Sequence, residues 1–139
     1  MMGKILSLVS MAFFMGCIPA QEGVIKNKKW RMVKQVTITH DKAGTNTSEK
    51  TKDFNIMDSL YFDNDDKLSI ISYGSTVKYQ YKIKDSVITY WPETANQKIN
   101  EFRITVSTKD SLVLSRTEVW GSDSQLKITA NLHLLRIKE

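Results

Sequence analysis

Cys17 is the residue of this chain best placed for covalent chemistry. It is the single cysteine, it follows Met15-Gly16, and a thiol there can be acylated. Disulfide-forming compartments use cysteines in pairs, so a single one in such a place needs another use. Other chemistry-bearing residues are sparse or wrongly spaced. His40 and His133 are the only histidines, and neither belongs to an H-E-x-x-H metal pattern. No Gly-x-Ser-x-Gly nucleophile elbow occurs, and no glycine-rich phosphate loop. Asp63-Asn64-Asp65-Asp66 is acidic but lacks the glycine and distal glutamate of an EF-hand, so it reads as a turn. The expectation is a chain without catalytic residues, bound metal or cofactor.

The segment that presents Cys17 has three parts: Met1–Lys4 with one lysine, the apolar run Ile5–Gly16, and the cysteine. That is the layout of a cleavable secretion signal. The run falls well short of the roughly 20 residues a membrane span requires. Its apolar-x-small-Cys ending resembles the lipobox of bacterial lipoproteins, at which the signal is cut and the new N-terminal cysteine is acylated. Phe14 and Met15 stand where that family usually has Leu and then Ala or Ser. A rival cut after Ile18-Pro19-Ala20 would discard Cys17 and release the protein. On the first reading residues 1–16 are signal peptide, Cys17 carries acyl chains such as palmitate, and residues 17–29 are a tether. The chain then sits in the cell envelope on the non-cytoplasmic side of a membrane, the outer membrane being the expected one. On the second reading it is periplasmic or secreted.

The 139 residues carry a formal net charge of +5, with 41% hydrophobic and 25% charged residues, as one folded domain would. Lys26, Lys28, Lys29, Arg31 and Lys34 cluster behind the signal. Acyl chains contribute about 0.8 kcal/mol per buried methylene, against about 1 kcal/mol per membrane-proximal lysine. The lysines are therefore read as a solvated tether and strand face. Nucleic acid is not an expected partner, because that needs a basic surface interleaved with stacking aromatics.

From Trp30 onward the hydrophobic period is two. Val77-Lys78-Tyr79-Gln80-Tyr81-Lys82-Ile83-Lys84 alternates without a break, the pattern of a half-buried antiparallel strand. Eight strands are predicted, at 30–39, 54–62, 67–72, 76–83, 86–91, 99–107, 111–119 and 126–137. Tyr73-Gly74-Ser75, Lys84-Asp85, Lys109-Asp110 and Gly121–Ser124 supply turns. Asp58-Ser59-Leu60, Asp85-Ser86-Val87 and Asp110-Ser111-Leu112 accompany strand starts, and also resemble an O-glycosylation acceptor pattern of some Gram-negative bacteria. Short connections force sequential antiparallel neighbours, and a meander of eight strands removes its edges by closing. The predicted fold is all-β, an eight-stranded antiparallel up-and-down barrel over residues 30–139, with a two-sheet sandwich as the rival.

Signal, tether, Trp30 and meander together resemble a bacterial lipocalin-like lipoprotein. The resemblance implies that Arg136 packs over Trp30 to plug the closed end of the barrel. It also implies a first-loop lid, for which Asp41–Asp53 is available, although a polar loop is equally an inert one. Phase on the strands makes Leu60, Phe62, Leu68, Ile70, Val77, Tyr79, Tyr81, Ile83, Phe102, Ile104 and Val106 inward. Trp30 shares a face with Met32, Val36 and Ile38, with Lys34 interrupting. A barrel of this size either is filled by side chains or holds one small molecule. Two functions follow. In one, Tyr79, Tyr81, Phe62 and Phe102 bind a small apolar or amphipathic ligand. In the other, a filled barrel docks an envelope protein, with Trp91 and Trp120 beside the loops. The anchor is testable directly. Cys17→Ala should abolish incorporation of labelled fatty acid, and label retained by the variant would contradict acylation at this thiol.

Overall fold

The computed structural model describes residues 22–54, 56–94, 99–121 and 125–138. Cys17, the signal segment 1–16 and the start of the tether lie outside the described residues. Nine strands follow in order: β1 (Lys28–Asp41), β2 (Gly44–Lys50), β3 (Ser59–Phe62), β4 (Lys67–Ser72), β5 (Ser75–Lys84), β6 (Val87–Pro92), β7 (Asn100–Ser107), β8 (Ser111–Trp120) and β9 (Leu126–Arg136). All pair antiparallel in the order β2-β1-β3-β4-β5-β6-β7-β8-β9, and β1 also pairs with β9. The result is a closed eight-stranded barrel with β2 as an extra strand.

The turns are set by local chemistry. Ser72 pairs with Ser75 and Lys84 with Val87, leaving two-residue loops at Tyr73-Gly74 and Asp85-Ser86. All four loop residues have positive φ, between 50° and 78°. Two successive positive φ values give the turn whose twist matches antiparallel strands. Asp63 closes the β3–β4 turn by accepting hydrogen bonds from the amides of Asp65 (3.0 Å) and Lys67 (2.9 Å). Asp41 does the same for Ala43 (2.8 Å) and Gly44 (3.1 Å) in the β1–β2 turn.

That last turn shows that the stretch read as a polar loop, Asp41–Asp53, contains a strand. Residues 44–50 pair with β1 from Gln35↔Lys50 to Asp41↔Gly44. All seven residues of β2 are exposed, so no apolar alternation announces the strand. The predicted strand 54–62 shrinks to four residues, because Phe54 and Met57 fold inward from an irregular segment and are buried. The stretch read as tether also tightens. Residues 22–25 form one helical turn, and Ile25 is fully buried.

Two bulges shift the strand phases. Met32 pairs with Leu134, but Lys34 pairs with His133 and Gln35 with Leu132, so Val33 is an extra residue. Lys34 therefore faces outward beside His133, and Gln35, Thr37 and Thr39 take the inner phase expected for Val36 and Ile38. In β7 the register slips between Ile104 and Val106. Val106, expected inside, is consequently 43% exposed. Val77, also expected inside, is 50% exposed near the start of β5.

Among the described residues, large side chains pack the core. Trp30, Phe62, Phe102, Leu60, Leu68, Ile88, Leu112, Leu114, Leu132 and Leu134 are all essentially inaccessible. Aromatic rings continue the packing: Phe62 meets Tyr81 edge-on at 5.2 Å, and Tyr90 stacks on Phe102 at 5.1 Å. Each such side chain contributes about 1.5–3 kcal/mol by leaving water. Truncating Phe102→Ala should lower the unfolding free energy by about 3–5 kcal/mol, whereas Val106→Ala should change it by less than about 0.5 kcal/mol. Urea titrations of both variants check this. Equal losses would contradict the phase change at Thr105.

Candidate functional site

The barrel has two different ends. The base carries the start of β1, the end of β9 and the turns at 63–66, 85–86 and 108–110. The rim carries the turn at 73–74, the ends of β6 and β8, the starts of β7 and β9, and the β1–β2 hairpin. Sequence-predicted site residues divide between interior, base and rim.

Of the four residues expected to bind a ligand, Phe62, Phe102 and Tyr81 are core. The first two are fully buried, and all three pack ring against ring. The Tyr81 hydroxyl donates to the Asp63 carbonyl at 3.0 Å, and burial pushes its phenol up to about 12. Tyr81 also lines a cleft on the outer wall, and Tyr79 reaches an opening at the rim. It meets Tyr90 edge-on at 5.2 Å and lines a cleft of about 210 Å³ with Ile56, Ile70, Val77, Tyr90 and Arg116. Arg116 is held by Glu118 at 3.1 Å. Tyr90, Ile56 and Arg116 were not legible as site residues, because their strand and loop phases point inward only once the ladder is built.

At the base, register sets Trp30 directly across from Arg136. The indole is inaccessible and its Nε1 donates to the Ile25 carbonyl at 3.4 Å, which ties the N-terminal helical turn to the start of β1. Lys26 fastens that turn to the barrel. Its Nζ lies 3.0 Å from both Glu22 and Asp66 and 5.8 Å from the Tyr81 ring centre. The hydrogen bond to Asp66, then that to Glu22, holds this ammonium well above its ordinary value. A cleft of about 530 Å³ opens beside it, lined among others by Lys26, Asp66, Lys67, Tyr81 and Trp91. Two of its lysines are paired: Lys26 serves two carboxylates, and Lys67 meets Glu93 at 2.6 Å. Trp91 is on this outer wall, donating from Nε1 to Gln80 at 2.9 Å. Trp120 stands at the rim end of β8, opposite Leu126 and 55% exposed. The two indoles therefore serve different surfaces.

His40 Nδ1 lies 2.7 Å from Thr45 Oγ1 across the β1–β2 hairpin. Among the described residues no group of three or more His, Cys, Asp or Glu is placed to hold a metal. No family model, curated protein or solved structure matches this chain.

His133 lies on β9 across from Lys34. Burial, then the Lys34 ammonium opposite it, pushes its imidazole below the ordinary 6.5, against the pull of Glu49. With the folded value depressed, the unfolded chain takes up the proton first as pH falls. Stability is then full above 6.5 and is lost as pH drops from there through the folded-state value. Melting temperature across that window should fall less steeply in His133→Asn than in the natural chain. An unchanged slope would contradict the burial of this ring.

Proposed function

We propose that this chain is a lipid-anchored, non-catalytic interaction module of the cell envelope, built on a lipocalin-like barrel whose interior is packed rather than hollow. Cys17 is the acylated residue, and the barrel presents its rim to a partner protein. The observation that supports this reading is the ring-against-ring packing of Phe62 with Tyr81 and of Tyr90 with Phe102. The side chains that a carrier would use to line its cavity touch one another instead. The rim meanwhile concentrates exposed apolar surface. Tyr73, Val77, Ile99, Val119 and Trp120 are all exposed and lie by the turn at 73–74, the start of β7 and the end of β8. Tyr73 is 75% exposed with a φ of 50°, an unusual backbone state for a bulky side chain. Exposed aromatics at turn positions of a rigid scaffold are the residue types that anchor protein interfaces.

A second reading is favoured by the cleft at Tyr79. A small amphipathic molecule could lay its apolar part on Ile56, Ile70 and Val77 and its anionic end toward Arg116. At about 210 Å³ this cleft is below the roughly 300–1,000 Å³ of typical ligand sites.

Photo-crosslinking in the host envelope separates the two. A crosslinker at Trp120 or Tyr73 should yield one discrete protein adduct, and one at Lys109 on the base should yield none. If the rim positions give no adduct, and native mass spectrometry finds extra mass removable by organic solvent, the module reading fails in favour of a carrier.

A further inference from the structure

The outer wall of the barrel assembles an aromatic cleft from residues that the sequence spreads over three strands. Antiparallel pairing sets Lys67 of β4 opposite Gln80 of β5, and Gln80 opposite Trp91 of β6. Directly paired residues share a face, so these side chains stand in one row. They line the cleft of about 530 Å³ beside Lys26, with Asp65 and Lys82 also in its lining. That volume lies within the roughly 300–1,000 Å³ of typical ligand sites. The hydrogen bonds decide what the lining offers. Trp91 Nε1 donates to Gln80 Oε1 at 2.9 Å. An indole has one polar atom, so what Trp91 adds besides is carbon surface. The same bond orients the Gln80 amide, because only its oxygen accepts from an indole, and Nε2 remains as a donor. Lys26, Lys67 and the Tyr81 hydroxyl are engaged by Glu22 and Asp66, by Glu93 and by the Asp63 carbonyl. Lys82 and Asp65 are exposed, and among the described residues neither side chain makes an ion pair. The lining as a whole holds three acidic and three basic side chains, Glu22, Asp65 and Asp66 against Lys26, Lys67 and Lys82, and so carries no net charge.

We propose that this cleft binds a neutral saccharide, one sugar ring covering Trp91 and its hydroxyls meeting Gln80, Lys82 and Asp65. The other ligand classes fit the lining less well. An ion finds its opposite charges balanced within the cleft. A hydrocarbon would bury charged groups without pairing them, which is costly. A zwitterion would meet Lys82 and Asp65 but leave the indole uncovered. A pyranose has a C–H face that covers carbon surface, and hydroxyls that donate and accept at once. The bond between Trp91 and Gln80 holds platform and amide in place before the ligand arrives, which lowers the ordering cost of binding. A free oligosaccharide and an extended polysaccharide share this chemistry. The inference goes beyond the rim reading and depends neither on it nor on acylation of Cys17.

The test is heteronuclear NMR on the nitrogen-labelled chain, in which Trp30, Trp91 and Trp120 are the three tryptophans and each gives its own indole N–H signal. Maltotriose, cellotriose and chitotriose are titrated in separately at millimolar concentrations. At least one should move the Trp91 indole and the Gln80 side-chain amide saturably, leaving Trp30 and Trp120 in place. Trp91→Ala should weaken binding of that sugar by about tenfold or more. Lys82→Ala should weaken it several-fold, and because Lys82 is exposed this variant keeps the result decisive if Trp91→Ala does not fold. Trp120→Ala should leave binding unchanged. No saturable movement with any of the three sugars, equal movement of Trp120, or a response to glycine or glucuronate alone overturns the proposal. The hexamer of the responding sugar then separates the sources. Affinity many-fold above that of the trimer identifies a polysaccharide, and equal affinity a free oligosaccharide.

Discussion

The pairing of β1 with β9 is the constraint on which the rest of the molecule depends. A meander that failed to close would leave two long bare edges, each a template for association. Closure removes both by making β1 serve several neighbours. Its first residues pair with β3, nearly its whole length pairs with β9, and its second half also pairs with β2. The bulge at Val33 lets one strand meet these demands. Below it, Trp30 and Met32 enter the core; above it, Gln35, Thr37 and Thr39 take the inner phase, where the apolar interior gives out. Gln35 marks the boundary, 7% exposed with its Oε1 unpartnered and its Nε2 donating to Thr37 at 3.3 Å.

Much of this was legible in the sequence, and the misses share causes. Alternation located β4 to its residue bounds and the other barrel strands except β3 to within two residues at either end. The strand-period argument fails wherever a ladder inserts one residue. Val33 and Thr105 are such places, and the interruption at Lys34 was the visible trace of the first. Strand β2 was missed because both of its faces meet water, so selection for burial leaves no period in Gly44–Lys50. Ile25, Phe54 and Met57 were missed because they enter the core from outside the strands, and no periodicity marks an isolated apolar residue. Among site residues, the Trp30–Arg136 register followed from the strand phases. The cleft at Trp91 did not, since Gln80 and Trp91 meet only after pairing.

Filling and function are linked through the same geometry. Eight strands enclose only enough space for one layer of large side chains or one small molecule. Here Trp30, Phe62, Tyr81, Tyr90 and Phe102 occupy part of that space, and the clefts among the described residues lie on the walls and at the two ends. The base carries the fastened N-terminal turn, and the rim combines apolar turns with the exposed β1–β2 hairpin.

The most direct test of the account is the set of cross-strand contacts between β1 and β9 measured by nuclear Overhauser effects. The account predicts Trp30 opposite Arg136, Met32 opposite Leu134 and Gln35 opposite Leu132, with a one-residue slip at Val33. A β9 lacking contacts to β1, or a register that runs through Val33 unbroken, would contradict the closed barrel.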